Sequence, residues 1–152
     1  AQGLYAFGRL LTYSDAQRGQ ARWLDILCDE LAHRYVDEMS YGRAPAWLSE
    51  GLAQAVLPGP RTRPERPWRK FLVPWRLLEQ RLRESRDDPM AEQALLAQAR
   101  HMTAWLLKRF GAERMMTLLS LRRQGLPMAK ALKNAYGHER GVLEGAWRQE
   151  IR

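Results

Sequence analysis

The sequence predicts an α+β fold that is predominantly α-helical, with a short strand or hairpin ahead of the first helix. Three observations predict it. Apolar residues recur every three to five positions through most of the chain after residue 20. Capping and stop signals punctuate that pattern at intervals of one helix length. Only the opening stretch Gly3-Leu-Tyr-Ala-Phe-Gly-Arg-Leu-Leu-Thr-Tyr13 sets aromatic and aliphatic residues between glycines, as a strand or hairpin arm does. With 152 residues, 45% of them apolar, the chain is long enough to bury one core. A single domain is therefore expected over 1–152: an edge-strand region 1–20, two helices within 21–56, a Pro/Arg-rich loop 57–70, and C-terminal helices 71–152.

Each element follows from local chemistry. From Ala21 to about Met39, Trp23, Ile26, Leu27, Leu31 and Val36 form one apolar face, and Tyr41-Gly42 ends the helix. A second, short helix follows Pro45, with Trp47, Leu48, Leu52 and Val56 as its apolar face and Pro58-Gly59-Pro60 as its stop. The turn between these two helices is brief, so they should be neighbours in space. Residues 57–70 have no apolar period and are expected to form a mobile loop.

Helix resumes from Val73 to Arg86. Asp88 is an N-cap and Pro89 a first helical residue for the next helix, Met90 to Phe110, which Gly111 terminates. Ala112 to Arg123 forms another, ending at Gln124-Gly125. A further helix ends at Gly137, and the last carries Val142, Leu143, Ala146 and Trp147 on one side.

Bulk properties limit the function classes. No apolar run is long enough to span a bilayer, and no signal peptide is visible at the start. Cys28 is the only cysteine, which leaves no internal disulfide and no thiolate cluster for a structural zinc. The net charge of +8 makes an acidic partner conceivable. Arg61, Arg63, Arg66 and Arg69 beside Trp68 form the one stretch suited to nucleic acid or an anionic surface. Lys occurs only at 70, 108, 130 and 133, however, so the charge reads more as an arginine-rich composition than as a patch.

Catalytic chemistry is suggested by Cys28-Asp-Glu-Leu-Ala-His33. On a helix, Asp29 and His33 are four apart and share a face, while Glu30 is offset and can point beside a shared ligand. A third donor is available in Glu50, on the next helix, where the small residues Gly51 and Ala53 let backbones approach. A carboxylate in this apolar, Trp-rich turn is costly without a partner, and a metal, His33 or an arginine would each serve. Structural roles are equally open at this point: Asp29 pairing with Arg22 or Arg34, Glu30 pairing with Arg34, and His33 bonded to Glu50.

Glu-Leu-Ala-His-Arg-Tyr-Val followed by Pro-Ala-Trp-Leu-Ser-Glu-Gly-Leu-Ala resembles the gluzincin zinc metallopeptidases, and most closely the compact peptidase MA-like domains. Those carry a His-Glu-x-x-His helix and then a Trp-Leu-x-Glu-Gly-x-Ala helix. The resemblance implies zinc as cofactor, His33 and Glu50 as metal ligands, Glu30 as general base, and a peptide or protein as substrate or ligand. It also implies that the strand around Leu10–Tyr13 pairs with an extended peptide.

Three departures accompany it. Asp29 stands where the first ligand histidine belongs, and its carboxylate is a shorter, weaker substitute ligand. Gln54 replaces an acidic residue that orients a ligand histidine, and Leu96 replaces a tyrosine suited to oxyanion stabilisation. These departures imply impaired or lost hydrolysis, with a non-catalytic protein- or peptide-binding module as the alternative. His101 suits a structural role better than that of a substitute ligand or a substrate contact, and His138 is expected at the surface.

Overall fold

A computed structural model describes the backbone of residues 4–6, 9–11, 20–56 and 71–151, and the side chains of 26–55 and 71–151. Among these residues the fold is predominantly helical. The helices are α1 (Gln20–Ser40), α2 (Ala46–Val56), α3 (Trp75–Glu84), α4 (Pro89–Arg123), α5 (Met128–Tyr136) and α6 (Arg140–Glu150). The α+β expectation is thereby narrowed. Leu4–Ala6 and Arg9–Leu11 pair antiparallel with Tyr5 opposite Leu10, but a ladder three residues long does not make a sheet layer. Tyr13, the side chain of Arg22, and the whole Pro/Arg-rich segment 57–70 with its suggested anionic partner lie outside the described residues. No described helix is long and apolar enough to cross a membrane.

Helix ends obey their local signals. Asp88 caps α4 by accepting from the backbone N–H groups of Met90 and Ala91, at 3.1 Å each, with Pro89 as first helical residue. Gly111 breaks α4 into arms 89–110 and 112–123: its φ of 82° and ψ of 168° are open to glycine and strained for other residues.

The long first arm of α4 is the spine of the core. Leu95, Ala99, Met102 and Leu106 are buried along it, in one cluster with Trp47, Leu48 and Leu52 of α2 and Leu78 and Leu82 of α3. Trp75 packs edge-on against both Trp105 and Trp147, with ring centroids 6.3 and 5.8 Å apart, and closes the far end. Gln98, 1% exposed, accepts from the Val73 N–H at 3.1 Å and donates to the Val73 carbonyl at 2.8 Å, fastening the lead-in to α3.

Two apolar faces differ from their expected orientation. Leu31 is 52% exposed, whereas Glu30 is 3% exposed and Val36 2%. The side of α1 that packs on its neighbours is the one carrying Glu30, Val36 and Ser40, which turns Leu31 and Tyr35 outward. On α6, Leu143 and Trp147 are buried while Val142 is exposed.

The angle between α1 and α2 is fixed at the turn 41–45. Ser40 Oγ donates to the Val36 carbonyl at 2.8 Å and accepts from Ala44 N–H at 3.1 Å. The Arg122 guanidinium reaches across from α4 to the Arg43 carbonyl at 2.6 and 2.9 Å, and Arg43 donates to the Arg123 carbonyl at 2.6 Å. Tyr41, held at a φ of 53°, lays its ring under Arg123 at 3.8 Å.

Helices α2 and α4 come into tight contact at Gly51. A Cβ there would lie 2.1 Å from Thr103 Oγ1, 2.8 Å from Thr103 Cβ and 2.9 Å from the Ala99 carbonyl oxygen. Gly51→Ala is therefore expected to push the helices apart at a cost of about 1–3 kcal/mol, the range for overpacking. A thermal melt should show it as a drop of several degrees. Adding Thr103→Ala should recover only part of the loss, because the Ala99 carbonyl remains; full recovery would show that the backbone contact is unimportant.

Candidate functional site

The site lies where one turn of α1 faces the N-terminal half of α2. From α1 come Asp29, Glu30 and His33; from α2 come Ser49 and Glu50. Helical spacing puts Asp29 and His33 one above the other, and the Gly51 contact with α4 sets how far α2 can carry Glu50. The imidazole stands between the two carboxylates: His33 Nε2 is 3.8 Å from Asp29 Oδ2 and 3.8 Å from Glu50 Oε2. Its other nitrogen, Nδ1, is hydrogen-bonded to Ser49 Oγ at 2.8 Å.

Polar atoms here are left unsatisfied. Asp29 Oδ1 and Glu30 Oε2 are buried without a hydrogen-bond partner. Burial raises all three carboxyl pKa values above the ordinary range. For Asp29 the nearby His33 opposes the rise. For Glu30 the charges of Asp29 and Glu50 add to it and His33 opposes. For Glu50, His33 opposes most, Asp29 and Glu92 add, and Arg100 opposes. Like charges so placed call for a cation or a proton among them.

The donor set is too widely spaced, as it stands, for a tetrahedral metal ion. A tetrahedral ion bound at roughly 2.1 Å sets neighbouring ligand atoms roughly 3.4 Å apart. Both distances from His33 Nε2 exceed that by a few tenths of an ångström. As the side chains stand, no group of three or more His, Cys, Asp or Glu among the described residues is close enough to hold a metal ion. One imidazole and three carboxylates, two of which carry an orphaned acceptor oxygen, are nonetheless donor types that a divalent cation takes.

The remaining sequence candidates separate from this group. His101 Nδ1 accepts from Trp147 Nε1 at 3.1 Å and its ring packs on Trp147, contacts that fit a structural role. His138 is exposed beside Phe110. Leu96 packs against the core, and Gln54 sits half-buried one turn beyond Glu50. Arg34 pairs with Glu38. Sequence reasoning missed Ser49. Its position, one turn before Ala53 and adjacent to Glu50, carried no signal of its own, since its partner is sixteen residues away.

The raised carboxyl pKa values predict a pH dependence. A group whose pKa is higher in the folded state contributes stability that is full below about pH 4 and lost as pH rises through the raised value. Glu30→Gln removes one charge and keeps the shape. In chelator-treated protein it should leave the melting temperature unchanged in acid and raise it at neutral pH, by about 3 °C for each kcal/mol of relieved strain. A variant less stable than the parent at neutral pH would contradict this account.

Comparison with known proteins adds one finding. No curated protein and no solved structure gives a significant match. The family model described as Peptidase MA superfamily matches residues 21–152, a span that runs from α1 to the C-terminal residue and contains the whole site. By that match over most of its length, the chain belongs to the Peptidase MA superfamily.

Proposed function

We propose that this domain is a zinc metallopeptidase-like module of gluzincin type in which peptide-bond hydrolysis is impaired or lost because Asp29 occupies the position of the first ligand histidine. The observation that carries this reading is the placement of His33 Nε2 at 3.8 Å from both Asp29 Oδ2 and Glu50 Oε2. Those three residues would hold a zinc ion, whose chemistry when bound is to polarise a peptide carbonyl and acidify a water. Glu30 is the group that would take the proton from that water, and its raised pKa makes it a stronger base.

Three features weaken the chemistry. An aspartate reaches less far than a histidine from the same helical position, and ligand distances tolerate only about 0.2 Å. Two anionic ligands also neutralise the ion and reduce its power over a bound water. Leu96, lacking a donor, adds nothing toward an oxyanion.

A second reading is favoured by the burial of Glu30. A base 3% exposed does not meet a substrate without local opening, which suits a module that binds a peptide or protein and does not cleave it. The two readings share a partner class and differ in whether zinc matters.

Asp29→His separates them. In isothermal titration the variant should bind zinc at least about 10-fold more tightly than the parent, the lower end of what even an outer partner of a ligand is worth. Chelator-sensitive hydrolysis of an unstructured fluorescent polypeptide should be at background in the parent and rise in the variant. A parent that hydrolyses as fast as the variant would refute impairment. A parent whose melting temperature climbs several degrees with added zinc would count against the purely binding module.

A further inference from the structure

We propose that the turn between α1 and α2, with the end of α4 beside it, is a docking surface for an acidic segment of a partner protein, gripped by Tyr41, Arg43 and Arg123. The surface begins about two helical turns beyond His33 and needs no metal, so it stands apart from the zinc reading above. Backbone strain is the first observation. Tyr41 is 62% exposed and sits at a φ of 53°, a conformation costly for a bulky side chain and easy for asparagine or glycine. A turn that served the fold alone would gain nothing from an exposed ring held in this pose.

Charge is the second. Arg43, Arg122 and Arg123 crowd around one turn, and their hydrogen bonds go to the carbonyls of Arg123, Arg43 and Leu126 and to the Tyr41 hydroxyl. Among the described residues none of the three pairs with a carboxylate, although that of Asp37 borders Gly42. A carbonyl satisfies an N–H without cancelling the charge behind it, so like charges stand together there for an outside anion to neutralise. The negative end of α4 accounts for Arg122, which spends all three of its nitrogens on carbonyls. It does not account for the exposed Arg43 and Arg123, each of which commits a single nitrogen and keeps the rest of its fork for a carboxylate.

The third observation selects the class of partner. Tyr35 and Leu31, one turn apart on α1, are 47% and 52% exposed, and the Tyr35 hydroxyl donates to Met116 Sδ at 2.8 Å. Tyr35 and Tyr41 therefore both lie along the seam where α1 meets the second arm of α4. A nucleic-acid backbone would engage the arginines and leave Leu31 and Tyr35 bare. A lipid surface calls for rings that project, whereas both hydroxyls are drawn back onto α4. A protein segment with carboxylates set among apolar side chains covers both kinds of group, and tyrosine and arginine are the residue types that dominate such contacts.

The test measures fluorescence anisotropy of a labelled octapeptide of alternating glutamate and leucine with chelator-treated protein at low salt. The peptide should bind and shift backbone amide NMR signals of the 41–45 turn and the 116–123 arm, and replacing its glutamates by glutamine should abolish binding. Arg123→Gln and Tyr41→Asn should each weaken binding about 10-fold or more, as loss of a hot spot does. Arg83→Gln, which removes one equally exposed charge from α3, should stay within about 2-fold. Tyr41→Asn should melt at or above the parent temperature, because asparagine tolerates the left-handed conformation. A drop of several degrees instead would make Tyr41 a structural residue and overturn the proposal. So would absence of binding, or equal losses in Arg123→Gln and Arg83→Gln. Tighter binding of polyphosphate or of phosphatidylglycerol vesicles through the same residues would assign the surface to phosphate and overturn the acidic-protein partner.

Discussion

The close approach of α2 to α4 at Gly51 is the constraint on which the rest of the structure depends. A helix interior loses about 1 kcal/mol by carrying glycine instead of alanine, and here that cost is accepted because any Cβ would collide with Thr103 and the Ala99 carbonyl. With the two axes drawn together, Leu48 and Ala53 become fully buried. Burial of these side chains and of Met102 and Leu106 opposite supplies the apolar stabilisation that a helix of eleven residues cannot provide alone. The rotation of α2 about its axis is then settled. Residues 48, 51 and 52 are committed to the core, so residues 49 and 50 are directed to α1.

That commitment explains why an unfavourable group of charges persists. Three carboxyls around one imidazole, all destabilised as anions by burial, would relax apart on a loose scaffold. They are held because α1 is pinned independently, through Ser40 and through the arginines that tie the turn 41–45 to the end of α4. At the opposite end of the molecule, Trp75, Trp105 and Trp147 interlock, with Glu150 accepting from Trp105 Nε1 and Glu144 accepting from the Trp75 backbone N–H. A rigid, apolar body thus carries a locally strained polar turn, the arrangement expected when local rules are broken at a functional site.

Much of this was legible in the chain itself. Asp88-Pro89, Gly111, Gln124-Gly125 and Gly137 mark helix ends by backbone chemistry that acts over a few residues, and the structure places the ends there. The pairing of α1 with α2 followed from a turn too short to separate them. The faces were less legible. Leu31 and Val142 match an apolar period yet are exposed, and Glu30 is charged yet buried, because a helix chooses its inward face by what its neighbours offer.

By itself, then, the sequence determined the helical order, the stops, and the two linked motifs that put Asp29, Glu30, His33 and Glu50 forward, since each depends on spacing along one or two helices. Only the tertiary structure decided that His33 Nε2 lies 3.8 Å from both Asp29 and Glu50, that Ser49 bonds its far nitrogen, and that His101 bonds to Trp147. The first two depend on the separation and rotation of α1, α2 and α4, and the third on how α6 packs against α4. No local pattern encodes an approach such as that of Gly51 to Ala99, residues 48 positions apart.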